Sequence, residues 1–156
     1  MNRITIESQS PADTQAIGRK LGDALRIGDV IALNGPLGAG KTHLAKGIAE
    51  GAGVADPRQV NSPTFVFCNE YPARIPIYHL DAYRLGSSTE LEALGLDEMI
   101  QTGAVLIEWA EKVQQAFPEN ILTIAITPTG EQSRSFTLTP VGDRPEVLAS
   151  SSIESP

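Results

Sequence analysis

One cysteine, Cys68, is all the chain has, so no internal disulfide can form, and no Cys/His cluster has zinc-site spacing. No apolar run approaches the roughly 18 residues that a membrane span needs. The opening stretch, MNRITIESQSPADTQ, lacks the apolar core of a secretory signal, so a cytoplasmic location is expected. Positive charge is scarce as well: 12 Lys and Arg stand against 19 Asp and Glu, a net −7. Gripping nucleic acid unaided needs a concentrated basic face, so that role is not expected; the charge does not exclude a nucleic acid reached through partners.

What is present suits one ordinary domain. The chain has 156 residues, 41 % of them apolar, and shows no repeat and no interdomain linker. Residues 1–141 are expected to form that domain and 142–156, rich in Ser, Pro and Glu, a mobile tail. Residues 3–7 alternate like a strand. Ser10-Pro11-Ala12-Asp13 then reads as a capped helix start, followed by Ile17, Leu21, Ala24 and Leu25 on one face. VIAL (30–33) and AVLIEW (104–109) are continuous apolar runs, the mark of strands buried on both faces. A helix is expected over about 41–52, and strands over 64–71 and 75–81. Thr89 and Glu92 have capping-box spacing before a short helix that Gly95 ends. A further turn or two of helix should run to Thr102, and residues 110–116 should be helical. Leu122, Ile124 and Ile126, then Phe136 and Leu138, alternate about Thr129-Gly130 as a hairpin would. The expected class is α/β: a P-loop NTPase-like three-layer fold, with a mostly parallel central sheet and antiparallel edge strands that include the late hairpin.

Between the first buried strand and its helix stands NGPLGAGKTHLAKG, with Gly35, Gly40, Lys41 and Thr42 in the order G-x-x-x-x-G-K-[ST]. Each residue type has a reason. Glycines let successive backbone N–H groups converge on one anion, and the following helix adds its unpaired N–H groups and positive end. Lys41 can reach the β- and γ-phosphates as a point charge, and the Thr42 hydroxyl can ligate Mg²⁺. Pro36, Leu37, Gly38, Ala39 and His43 complete the expected cradle, chiefly through backbone. A chance match should occur in fewer than about 1 % of chains this long, and the strand before and helix after make chance rarer still.

A cradle names a nucleotide site but no reaction; metal and water need an acid, usually at a neighbouring strand end. Asp81 ends IYHLD and Glu108 ends VLIE. Either alone could be a solvated carboxylate; beside a P-loop both become candidates, because parallel strands open their carboxyl ends to one crevice. No N-K-x-D guanine reader and no D-x-x-G is present, so ATP is preferred to GTP. Arginines are too thinly spread for the anion clamp of a small-molecule kinase, which is the alternative reading.

GPLGAGKT, SPTF (62–65), YHLDAYRL (78–85) and IEW (107–109) occur in one order and spacing. Together they resemble the TsaE (YjeE) family, the P-loop ATPase of bacterial tRNA threonylcarbamoyladenosine biosynthesis, over residues 3 to 140. The resemblance implies a weak, partner-dependent ATPase that uses ATP and Mg²⁺ and works with two larger proteins, TsaB and TsaD. Its hydrolysis would reset that complex between rounds of modification of the adenosine beside the anticodon. It would touch tRNA only indirectly and be a monomer alone. By residue, the resemblance implies that Lys41 holds phosphates, Thr42 and Glu108 serve Mg²⁺, and Asp81 is a second catalytic acid. Ser62-Pro63-Thr64 would be a switch segment near the γ-phosphate, and Trp109 would sit beside the nucleotide. Pro36 and His43 depart from the family's usual residues, with little consequence expected where backbone makes the contact.

Several side chains stay between two readings. Thr64 is expected to sense the γ-phosphate rather than merely start a strand. Arg84 is either a transition-state cation or partner contact, or an ion-pair partner of Asp81 or Asp97. His79 is expected to be packed or hydrogen-bonded rather than a ligand. Arg134 could approach the nucleotide from the late hairpin, although an exposed strand residue is the default. Cys68 is expected to be a small buried side chain.

Overall fold

The two strands without alternation, β2 (Val30–Asn34) and β5 (Ala104–Glu108), pair in parallel at the centre of a seven-stranded sheet. The computed structural model describes residues 3–36, 40–54, 68–82, 88–110 and 114–153. The other strands are β1 (Ile4–Ser8), β3 (Cys68–Tyr71), β4 (Ile77–Asp81), β6 (Ile121–Pro128) and β7 (Arg134–Val141). Their order is β1-β7-β6-β2-β5-β4-β3. Pairs β6–β2, β2–β5 and β5–β4 are parallel; β1–β7, β7–β6 and β4–β3 are antiparallel. A parallel centre with antiparallel edges is therefore what forms, and the late hairpin is its β6–β7 pair.

Helices α1 (Pro11–Ala24) and α2 (Lys41–Gly51) cover one face, joined by α5 (Asp143–Ser151). Helices α3 (Ser88–Ala93) and α4 (Leu96–Thr102) cover the other, where Leu91 and Leu96 meet Val105, Ile107 and Leu80. Ser10 caps α1 as expected: its Oγ accepts from Asp13 N–H at 3.1 Å, and Asp13 Oδ2 accepts from Gln9 N–H at 3.0 Å. Such a cap is worth about 1 kcal/mol.

The contact between α1 and α2 is backbone against backbone. A Cβ built on Gly22 would fall 1.9 Å from Ile48 O, and one on Gly47 would fall 2.3 Å from Gln15 O. Gly18 and Gly51, four residues from these, approach the facing helix in the same way. Side chains four apart share a helix face, so glycine at these positions strips that face down to the main chain.

Two arginines finish α1. Arg74 donates to the carbonyls of Leu25 (2.9 Å), Gly22 (3.0 Å) and Asp23 (3.2 Å). Arg144 donates to Ala24 O at 2.5 Å and forks onto both oxygens of buried Asp29, at 2.9 and 2.7 Å. Cations there answer the orphan carbonyls and the negative helix end.

Three expectations change. Residues 143–151 do not belong to a mobile tail: they form α5, which buries Leu148 and Ala149 in the α1/α2 core and is pinned through Arg144. Thr89 is not a cap, because α3 already includes Ser88. Of the helix expected over 110–116, residues 111–113 lie outside the described residues, and Ala110 and Gln114–Ala116 are 3-10 rather than α. Of the strand expected over 64–71, residues 64–67 lie outside the described residues and Cys68–Tyr71 form β3.

Candidate nucleotide-binding site

Register brings the site together. In the parallel ladders Glu108 pairs with Leu33 on one side and with Asp81 on the other. The ends of β2, β5 and β4 are thus level, and the glycine loop leaves β2 directly beside both acids. Alternation then selects the face. Ile77, Ala104 and Leu106 join the α1/α2 core, so His79, Asp81 and Glu108, which keep that phase, look the same way.

Gly40 starts α2 in left-handed backbone, φ +106°, and no side chain caps the helix. Only glycine adopts that turn without penalty. Lys41 is the first helical residue and is buried, 5 % exposed. Its ammonium donates to Gly35 O at 2.6 Å and lies 3.4 Å from the centroid of the Trp109 ring. A buried cation needs such partners. Thr42 follows in the first turn, half-buried, while Pro36 and His43 are exposed. Leu37, Gly38, Ala39, Thr64 and Arg84 lie outside the described residues.

Glu108 is 2 % exposed, and its Oε2 is 2.5 Å from Nε2 of fully buried His79. His79 is therefore hydrogen-bonded, as expected. Asp81 ends β4 half-buried. Trp109 turns left-handed, φ +59°, with its N–H on Leu33 O at 3.1 Å, and this turn lays the ring against Lys41.

Arg134 departs from the exposed strand residue taken as the default. It is half-buried, and a Cβ built on Gly40 would lie 3.7 Å from its Nε. Its Nη1 donates to the carbonyls of Ser133, Gly130 and Glu131 at 2.7, 3.2 and 3.4 Å. The hairpin thus delivers a cation to the start of α2. Cys68 is half-buried rather than buried; burial and the charge of Glu70 push its thiol pKa up.

Among the described residues no group of three or more His, Cys, Asp or Glu could hold a metal unaided. Mg²⁺ does not require one, since it is commonly held by one or two carboxylates, phosphate and water. The oxygen donors at hand, Thr42 hydroxyl and the Glu108 and Asp81 carboxylates, are of the hard type that suits it. Among the described residues no helix is long and apolar enough to cross a membrane.

The contact that sequence reasoning missed is His79 with Glu108. Its signal was strand parity: 79 and 81 share phase on β4, as 104, 106 and 108 do on β5.

Parallel strands that aim their carboxyl ends at a glycine loop define a P-loop nucleotide-binding fold, and this chain is of that class. The profile described as "Threonylcarbamoyl adenosine biosynthesis protein TsaE" matches residues 8–136. The "tRNA threonylcarbamoyladenosine biosynthesis protein TsaE" of Bacillus subtilis is 41 % identical over 150 residues, covering 95 % of this chain and 92 % of that one. The protein of the same description from Treponema pallidum is 37 % identical over 132 residues, covering 84 % and 96 %. The crystal structure of YdiB from Bacillus subtilis matches with TM-score 0.79 at 34 % identity, covering 97 % of this chain and 94 % of that one. The chain belongs to the TsaE family.

Proposed function

We propose that this chain binds ATP with Mg²⁺ and hydrolyses it slowly within the machinery that makes threonylcarbamoyladenosine in tRNA. In this reading its turnover resets a complex of TsaB and TsaD between rounds. The observation that carries the reading is the level ends of β2, β5 and β4, which set Asp81 beside Glu108, with Lys41 bonded to Gly35 O just past β2, in a chain of the TsaE family.

The N–H groups at the start of α2 bind the phosphates, with Gly40 shaping the turn. Lys41 moves its ammonium from Gly35 O to the phosphate tail, a short step for a side chain already at the helix start. Thr42 and Glu108 would hold Mg²⁺, which neutralises phosphate charge when bound. Asp81 or Glu108 orients the attacking water, and Arg134, beside Gly40, adds positive charge near the cradle. The net charge of −7 suits a component whose partners hold the tRNA.

The test is ATP turnover and nucleotide affinity of the chain alone and with TsaB and TsaD. Turnover that rises with the partners and is lost in Lys41→Ala is expected. A chain that binds no nucleotide, or passes phosphate to a metabolite instead of water, would defeat the reading. A Glu108→Gln variant that keeps full partner-dependent function would reduce the protein to a nucleotide-gated binding module.

A further inference from the structure

We propose that His79 is a positioning residue for Glu108, holding its carboxylate in the orientation that ATP hydrolysis needs. The inference rests on the functional reading above and adds a residue to it.

Three hydrogen bonds run in series from the sheet edge to the site. Asn69 Nδ2 lies 3.4 Å from Tyr71 Oη, Tyr71 Oη lies 3.1 Å from His79 Nδ1, and His79 Nε2 lies 2.5 Å from Glu108 Oε2. Their direction follows from donor chemistry. An ionised carboxylate only accepts, so Nε2 carries the ring proton. In the neutral ring Nδ1 is then bare and accepts from the Tyr71 hydroxyl, whose oxygen accepts from the Asn69 amide. One ring proton thus satisfies both imidazole contacts, and the network assigns the tautomer.

The placement is costly unless it serves something. His79 is 0 % exposed and Glu108 2 %, with Tyr71 at 6 %. Apolar residues of similar volume would pack the same space without desolvating a charge, so stability alone does not call for this pair. The pair instead does what carboxylate and imidazole partners do behind metal-binding and catalytic groups: it fixes orientation. Tyr71 holds the ring in turn, with ring centroids 5.9 Å apart at 53°. Glu108 ends its strand, and His79 ties it laterally to β4, two residues before Asp81. The two acids at the crevice therefore stand on one strand pair, and His79 orients Glu108 within it.

Two amide variants separate the ring's contacts. In His79→Gln the new amide group reaches about as far as Nε2 and can keep the Glu108 bond. In His79→Asn the shorter amide reaches only to the Nδ1 position and keeps Tyr71. His79→Gln should retain kcat within about threefold, and His79→Asn should lose about 10- to 100-fold in kcat with KM little changed. Nucleotide affinity without Mg²⁺ should be equal in both, and its enhancement by Mg²⁺ should fall only in His79→Asn. In the ligand-free wild type, histidine ¹⁵N shifts should show the Nε2–H tautomer at His79. A ring protonated at Nδ1 alone would overturn the proposal, and it needs no variant to fold. So would two amide variants indistinguishable in kcat and Mg²⁺ enhancement. If wild type binds Mg²⁺-nucleotide but does not turn it over, hydrolysis falls, and the Mg²⁺ enhancement and the tautomer then decide the positioning role by themselves.

Discussion

The Lys41 ammonium stands 3.4 Å from the Trp109 ring centroid, and left-handed backbone at Trp109, φ +59°, puts the ring there. Left-handed backbone costs a non-glycine residue about 1–2 kcal/mol. The hydrogen bond to Leu33 O and the cation on the ring face both work against that cost.

Trp109 is the chain's single tryptophan, so its emission reads the Lys41 position directly. Adding ATP should change emission as the ammonium leaves the ring for phosphate. Lys41→Met should show altered emission before any nucleotide is added. A titration in which calorimetry registers binding while emission stays flat would contradict the exchange.

The α1–α2 contact predicts a packing cost that glycine content alone does not reveal. Gly22→Ala or Gly47→Ala drives a methyl into facing backbone and should cost about 1–3 kcal/mol. For a chain of this size that lowers Tm by several degrees. Thermal melts of the two variants check it; melts matching wild type would mean the helices can part freely.

Arg144 and Asp29 should behave as one unit. The Asp29 side chain is 4 % exposed and the Arg144 side chain 26 %, so Arg144→Met strands a buried carboxylate. The expected loss is about 2–4 kcal/mol, discounted for the partial exposure of Arg144. Adding Asp29→Asn should recover part of it, since the amide oxygen can still accept from Arg26 N–H, which now meets Asp29 Oδ2 at 2.8 Å. Purely additive losses in a denaturation cycle would separate the two.

Cys68 gives a pH prediction. Burial first, then the Glu70 charge, raises its pKa, which keeps the neutral thiol present to higher pH. Alkylation should therefore be half-maximal at higher pH in the folded chain than in urea. Glu70→Gln should move that midpoint down. A folded midpoint below the unfolded one would reverse the assignment of cause.

How much of this was legible depends on range. VIAL and AVLIE announced the buried parallel centre because strands covered on both faces cannot alternate, and the glycine loop announced its own position. Ser10 and Asp13 marked α1 through a bond three residues long. The α5 helix escaped because its anchor, Arg144 to Asp29, spans 115 positions, while its local composition is that of a tail. The glycines of α1 and α2 escaped for a similar reason: a four-residue spacing means contact only once the facing helix is known. His79 with Glu108 needed the register between β4 and β5, which no single strand contains.

The glycine-faced pair has a mechanical consequence. At Gly18, Gly22, Gly47 and Gly51 the two helices rest main chain on main chain, so rotation of α2 there would meet hard atoms at once. It acts as a fixed abutment. If this helix holds phosphates as proposed, a change of nucleotide would have to be passed on without tilting it against α1.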